Sequence, residues 1–351
     1  MKTIVFTGGG TGGHIMPNIS IIERIKDKYK IYYLGTNGME KDIISNLKYV
    51  NYIEVPAVKF TRSLTPKNLL IPLKLFQSIK TCKKILKEIS PNLIFSKGGY
   101  VSIPVCLAGQ KLNIPTITHE SDLTIGLANR IIARKSKYLC CSFLDTALQY
   151  QKNAIHTGSP IRQQIYHGKT EHLLQNTKID TTKPIITVVG GSLGAQAVND
   201  LIWQNIDKLT QSYTIIHITG KNKINKTIKN TPHYIQIEFT EKIEDYFKLS
   251  DLIISRAGSN TIFELLALKK PMLLIPLPKT SSRGDQILNA KNFQKKGYAE
   301  YILQENLNYE TLTQQINHIL KNKIKYISQL RKNNNADGTD NIIKIIERCI
   351  K

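Results

Sequence analysis

No run of uninterrupted apolar residues in this 351-residue chain reaches the length of a membrane-spanning helix, so an integral membrane protein is not expected. The five cysteines, Cys82, Cys106, Cys140, Cys141 and Cys349, form no Cys-x-x-Cys or Cys/His ligand spacing, which argues against structural zinc and for a reducing cytosol. The opening residues, Met1 to Phe6, show no apolar h-region or small-residue cleavage site, and no secretory signal is expected. No Asp-x-Asp pair occurs anywhere. Acidic residues are scarce: Asp+Glu number 26 against 49 Lys+Arg, a formal net charge of +23. Such an excess calls for a polyanionic partner or for a compositional origin. Heavy use of Lys, Ile and Asn beside sparse Ala fits an AT-rich genome, so much of the charge reads as solvated surface. A nucleic-acid-binding surface would interleave aromatic stacking positions with the basic ones; across residues 67–87 only Phe76 qualifies, and no nucleic-acid partner is expected.

What is present is a glycine loop used twice. Thr7-Gly8-Gly9-Gly10-Thr11-Gly12-Gly13-His14 follows an apolar strand at 3–6, and Gly190-Gly191-Ser192-Leu193-Gly194-Ala195 follows another at 185–189. Each reads as a strand, a turn where backbone can approach a ligand closely, and a helix whose N-terminus favours an anion. A second echo pairs residues 92–99 with 251–258, so the repeated unit is a whole domain. Strands predicted at 30–34, 52–55, 93–96 and 116–119 alternate with helices from Pro17, at 69–88 and at 104–111; the second half repeats the pattern with strands at 214–219, 234–238, 252–255 and 271–276. The fold class is therefore α/β, with two Rossmann-like parallel-sheet domains facing a cleft. Expected bounds are 1–162, 163–335, and a C-terminal helical segment 336–351 that packs back on the first domain; the hinge is placed at 157–162 and the polar stretch to Lys183.

Gly8-x-Gly10-x-x-Gly13 taken alone invites a dinucleotide-binding reading, which needs a carboxylate at the end of the second strand to hold a ribose. That strand ends Tyr33-Leu34-Gly35-Thr36 with no carboxylate until Glu40, which weakens the reading. Glycines serving only a tight turn would be fewer and would not need His14 at the helix head. A helix N-terminus disfavours imidazolium, so His14 is expected neutral and able to accept a proton.

Gly9-Gly10-Thr11-Gly12-Gly13-His14-x-x-Pro17, Gly98-Gly99-Tyr100-Val101-Ser102-x-Pro104 and Gly190-Gly191-Ser192-x-Gly194-Ala195 resemble the three glycine loops of the MurG family. These enzymes convert the undecaprenyl-linked lipid I to lipid II in peptidoglycan synthesis. His119-Glu120, Gly158-x-Pro160-x-Arg162, Ser255-Arg256-Ala257-Gly258 with Thr261 and Glu264, and Asp285-Gln286-x-x-Asn289-Ala290 follow in the family's order. The resemblance implies an inverting GT-B glycosyltransferase, with the acceptor on the N-terminal domain and UDP-GlcNAc mainly on the C-terminal one. Donor contacts carried over are Thr11, Gly12, Gly13, Asp122, Arg162, Gly191, Ser192, Gly194, Ile243, Ser259, Thr261, Glu264, Asp285 and Gln286, with Glu264 on the ribose and the Ile243 backbone on uracil. Gly98, Gly99, Tyr100, His119 and Glu120 would line the acceptor mouth, with His14 as general base. Where the family pattern reads His-Glu-Gln-Asn this chain has His119-Glu120-Ser121-Asp122, so Asp122 is a second candidate for the base. Backbone donors at a helix start can stabilise a leaving diphosphate, so no tightly bound metal or other cofactor is expected. The nearest alternative is a related transferase acting on another lipid such as diacylglycerol; a UDP-GlcNAc epimerase is more distant.

Between 69 and 86, Leu73, Phe76 and Ile79 mingle with Lys74, Lys80, Lys83 and Lys84 where ordinary packing would segregate them. The resemblance places a membrane-facing patch there, implying a peripheral protein on the cytoplasmic face of an anionic membrane. Other cell-wall synthesis proteins are further partners the resemblance suggests.

Overall fold

A computed structural model describes residues 1–59, 71–150, 152–191 and 193–350. Ser192, and the part of the predicted 69–88 helix before Ile71, lie outside the described residues. The chain forms two compact units, one of Met1–Arg162 with Asp337–Lys351, the other of Gln163–Ala336.

The first unit is built on seven strands: β1 (Thr3–Thr7), β2 (Lys30–Gly35), β3 (Val50–Glu54), β4 (Leu93–Ser96), β5 (Thr116–Glu120), β6 (Tyr138–Cys141) and β7 (Ala154–His156). They lie in the order β3-β2-β1-β4-β5-β6-β7, all parallel. A parallel sheet covered on both faces needs apolar residues on both, and alternate residues part accordingly. Ile4, Phe6, Ile31, Tyr33 and Phe95 face helices Gly12–Ile25 and Thr339–Ile350. Val5, Leu34 and Ile94 face helices Ile71–Ile89 and Ser102–Lys111. β1 and β4 are adjacent, with Thr7 paired to Ser96, while the chain order reverses between them. The loops leaving these two strands therefore flank a topological switch point, where open α/β sheets bind ligands.

The second unit repeats the plan with β8 (Ile185–Val189), β9 (Thr214–Ile218), β10 (Tyr234–Ile237), β11 (Leu252–Ser255), β12 (Met272–Leu274) and β13 (Glu300–Tyr301), in the order β10-β9-β8-β11-β12-β13. Its switch point lies between β8 and β11, where Val189 pairs with Ser255. This explains the second sequence echo: 92–99 and 251–258 are the strands on the far side of each switch point.

Three strands were not foreseen. β13 has two residues, β7 three, and β6 reads Tyr-Leu-Cys-Cys, too short or too mixed to carry a pattern. The stretch 163–183, read as hinge, is instead packed into the second unit. Leu173 and Ile179 join Ile185, Ile216 and Ile235 in one apolar cluster, and Ile165 is buried. The chain leaves the first unit at Arg162 and returns at Asp337. The two crossings are laced together: Gly338 N–H donates to Ser159 O at 2.7 Å, and Ile161 N–H to Thr339 Oγ1 at 3.0 Å. All five cysteines are free and buried, and burial pushes the thiols of Cys82, Cys106 and Cys141 up to about 12, leaving them unreactive.

Candidate active site

In the first unit the glycine loop after β1 is held from below by its own sheet. Tyr33 OH donates to Gly8 O at 2.6 Å, and Asn18 Nδ2 donates to Thr7 O and Tyr33 OH, all in the buried core. From the side it is held by Glu40, a contact that no local sequence signal reveals. Its carboxylate accepts from Gly10 N–H at 3.2 Å, Thr36 N–H at 3.0 Å and Thr36 Oγ1 at 2.5 Å. It sits so tightly that a Cβ on Gly9 would stand 2.5 Å from the Glu40 carboxyl carbon. Burial alone would raise the Glu40 pKa; the donors, Thr36 foremost, outweigh it and hold the carboxyl below its ordinary value. In a dinucleotide site a carboxylate after the second strand would meet a ribose, whereas Glu40 is spent on Gly10 and Thr36. That removes the physical basis for the dinucleotide reading.

The open side of the loop carries the predicted residues. Thr11 precedes helix Gly12–Ile25 but does not cap it; its hydroxyl meets His14 Nδ1 at 2.9 Å instead. A Cβ on Gly12 would meet nothing within 4 Å, so there is room for a ligand beside the helix start. From the β4 side, a Cβ on Gly99 would lie 3.4 Å from His14 Nδ1, and one on Gly10 would strike the Tyr100 ring at 2.7 Å. Thr11, Gly12, Gly13, His14, Gly98, Gly99 and Tyr100 are thus gathered at one switch point.

His119 and Glu120 bury their side chains beneath the end of β5. His119 is 0% exposed, its Nε2 is 3.2 Å from Gly158 O, and burial, with Lys97 nearby, drives its pKa well below the ordinary value. Nε2–H is therefore the donor to Gly158 O, and the ring is neutral. Glu120 is equally committed: Oε1 accepts from Asp122 N–H, and Oε2 from Gly126 N–H and Asn129 Nδ2. Burial, then the charge of Asp122, push its carboxyl up. Both residues shape the turn that presents Asp122, because a strand's last residues point into the sheet's covering layers. Asn129 ties this turn to the second loop: it donates to His119 O and accepts from Thr118 Oγ1, and a Cβ on Gly98 would come within 2.9 Å of its amide.

In the second unit the loop after β8 closes on itself, Gly194 N–H donating to Gly191 O at 2.9 Å. Gly194 has φ +69°, and a Cβ there would lie 1.9 Å from Thr219 O, so only glycine fits. A buried chain behind it fixes that carbonyl: Asn199 Nδ2 donates to Thr219 O, Asn199 Oδ1 meets His217 Nε2, and His217 Nδ1 meets Tyr234 OH. Burial pushes His217 down to about 3, so the link is a neutral one. Gly191 (φ +87°) would place a Cβ in open space, leaving this side of the loop clear before helix Gln196–Gln204. Across the switch point, helix Ser259–Ala267 begins at Gly258 and carries half-buried Ser259, Thr261 and Glu264, the last two three residues apart on one face. Gln286 Oε1 accepts from Leu277 N–H at 3.1 Å, and Asn289 Nδ2 donates to Ala257 O at 3.2 Å, so helix Asp285–Lys295 pins the loops after β11 and β12. Asp285 Oδ1 is buried without a hydrogen-bond partner among the described residues. Arg162 and Ile243 are half-buried, Ile243 at the first position of helix Ile243–Leu249.

Helix Ile71–Ile89 corrects the patch in one respect. Ile79 packs, partly buried, against the core with Leu75 and Ile85, whereas Leu73 (57% exposed) and Phe76 (61%) point outward with Lys74, Lys80 and Lys84. Lys83 is half-buried. Among the described residues no helix is long and apolar enough to cross a membrane, and no group of three or more His, Cys, Asp or Glu is placed to hold a metal.

Residues 4–139 match the glycosyltransferase family 28 N-terminal domain and residues 185–345 its C-terminal domain. The UDP-N-acetylglucosamine--N-acetylmuramyl-(pentapeptide) pyrophosphoryl-undecaprenol N-acetylglucosamine transferase of Clostridium tetani is 42% identical over 99% of this chain and 98% of its own length. The enzyme of the same name from Lachnospira eligens is also 42% identical, over 99% of both chains. Among solved structures, Acinetobacter baumannii MurG superposes with a TM-score of 0.79 at 22% identity, over 99% of this chain and 100% of that one, which shows the fold. With both domain models in place and full-length relatives at this identity, the chain belongs to glycosyltransferase family 28, in the MurG branch.

Proposed function

We propose that this chain transfers N-acetylglucosamine from UDP-N-acetylglucosamine to the C4 hydroxyl of the muramyl residue of lipid I, with inversion, giving lipid II. The observation that carries the reading is the full-length likeness to transferases of that name. On the second unit the donor diphosphate would lie over the open side of Gly191 at the start of helix Gln196–Gln204, where backbone N–H groups and the helix dipole favour the leaving charge. Glu264 would accept from the ribose hydroxyls, Ile243 would read uracil through its backbone, and Ser259, Thr261, Asp285 and Gln286 would line the sugar. Arg162 would face phosphate. Backbone donors at this helix start would supply that stabilisation, so the reaction is read as needing no tightly bound metal.

On the first unit His14 is the candidate base. In the tautomer whose Nδ1–H donates to Thr11 Oγ1, Nε2 would hold the lone pair that takes the C4 hydroxyl proton. Attack from the face opposite the diphosphate inverts the anomeric centre and gives a β-linkage. Asp122 stands as the second candidate. The exposed Leu73 and Phe76 with their lysines support docking on the anionic cytoplasmic leaflet, where a polyprenyl-linked acceptor resides. Radiolabelled UDP-N-acetylglucosamine offered separately to a lipid I analogue, to diacylglycerol and to water tests the reading. Label in the lipid I analogue alone is expected; turnover on diacylglycerol with none on lipid I would overturn it.

A further inference from the structure

Among the described residues Lys97 is the only lysine or arginine that is buried, 2% exposed at the first position after β4. Its backbone N–H donates to Thr7 O at 3.0 Å, and its Cβ stands 3.1 Å from where Gly8 would carry one, so it is wedged at the switch point itself. The side chain crosses to the end of β5, where Nζ donates to Ser121 Oγ. Glu120 and Asp122 are the charges that act on it, and its own charge acts in turn on His119. Burial pushes the ammonium down to about 8 against the pull of these two carboxylates.

A buried ammonium is costly unless it is paired, and two adjacent carboxylates are costly unless they are compensated. Each cost here answers the other. The related His-Glu-Gln-Asn pattern has an amide where this chain has Asp122 and so would need no counter-charge at that place; the aspartate does. We propose that Lys97 is a positioning residue for the acceptor end of the first unit. Its ammonium holds the turn that presents Asp122 through Ser121, and it supplies the positive charge that lets Glu120 and Asp122 stand side by side. The inference rests on the acceptor reading above.

The test uses the full chain with Lys97→Met, close in length and uncharged, Asp122→Asn, and the pair. Lys97→Met is expected to lower kcat on a lipid I analogue about tenfold or more while UDP affinity, read by calorimetry, stays within about twofold. In the pair the losses should overlap, leaving kcat about fivefold or more above the product of the single effects. Losses that simply multiply, or wild-type kcat in Lys97→Met, would overturn the proposal. Should Lys97→Met not fold, Ser121→Ala removes the tether and keeps the charges; a kcat loss of about threefold or more supports the role and an unchanged kcat overturns it. If the wild-type chain transfers nothing to lipid I, the acceptor reading fails by itself. The same cycle is then read in denaturant midpoints, where overlapping losses support the Lys97–Asp122 pairing and independent ones refute it.

Discussion

Replacing Glu40 by Gln should loosen the loop that carries His14 without touching any residue that meets substrate. Gln keeps the shape but turns one acceptor oxygen into an NH2 group facing either Gly10 N–H or the Thr36 donors. Losing one bond to a charged acceptor costs about 1.5–3 kcal/mol, which corresponds to about 10- to 150-fold in a local opening equilibrium. Hydrogen exchange at the Gly10 and Thr36 amides should accelerate by that factor. kcat on the lipid acceptor should fall while UDP binding to the second unit holds. The effect has a pH signature. Because the folded-state pKa of Glu40 lies below its ordinary 4.5, its stabilisation is full above about 4.5 and is lost as pH falls through the lower folded value. The gap between wild type and variant should therefore close in acid. Unchanged exchange at Gly10 in Glu40→Gln would refute the reasoning.

Further outcomes follow from the same geometry. His14→Ala should lower kcat by about 10²- to 10⁴-fold with UDP affinity nearly intact; near wild-type turnover would assign the base to Asp122. Glu264→Ala should raise KM for UDP-N-acetylglucosamine, since ribose contacts are made in ground state and transition state alike, and an unmoved KM rejects that assignment. Chelator should leave substantial activity; complete loss restored by magnesium would overturn the metal-free reading. Replacing Lys80, Lys83 and Lys84 by Glu should release the protein from anionic vesicles, at about 1 kcal/mol per basic residue before charge reversal is counted, yet spare turnover on a soluble short-chain acceptor. Unchanged vesicle binding would make these lysines ordinary surface.

Local sequence carried the strands beside the switch points and the loops after them, because a glycine loop following a β-branched strand is a short-range signal. β1, β4, β8 and β11 are legible for that reason, and with them Thr11, His14, Tyr100, Gly191 and Gly194. What stayed hidden was set by distant pairing. Glu40 was noted only as the wrong carboxylate for a ribose, since nothing local says that it accepts from Gly10, thirty residues away. Lys97 looked like one more cation among 49 until its burial was seen. His119 and Glu120 carried the right motif, but strand direction turned their side chains inward. Ile79 was misplaced because mixed apolar and basic residues on a helix leave its buried face ambiguous; burial of Ser78, Cys82 and Leu86 fixes it.

Helix Thr339–Ile350 gives the first unit a history as well as a face. Ile342, Ile345, Ile346 and Ile350 complete the core made by Ile4, Phe6, Ile21, Ile22 and Ile25, and burying each is worth about 1.5–3 kcal/mol. During synthesis those partners are more than 300 residues apart, and the whole second unit, contiguous from Gln163 to Ala336, emerges between them. The usual order, with the N-terminal domain finished first, is therefore inverted. The first unit waits with this face of its sheet covered only by helix Gly12–Ile25 until helix Thr339–Ile350 leaves the ribosome. A chain cut short between Ala336 and Thr339 would yield a finished second unit tethered to a first one that lacks this cover, a species exposing isoleucines and suited to recognition by chaperones.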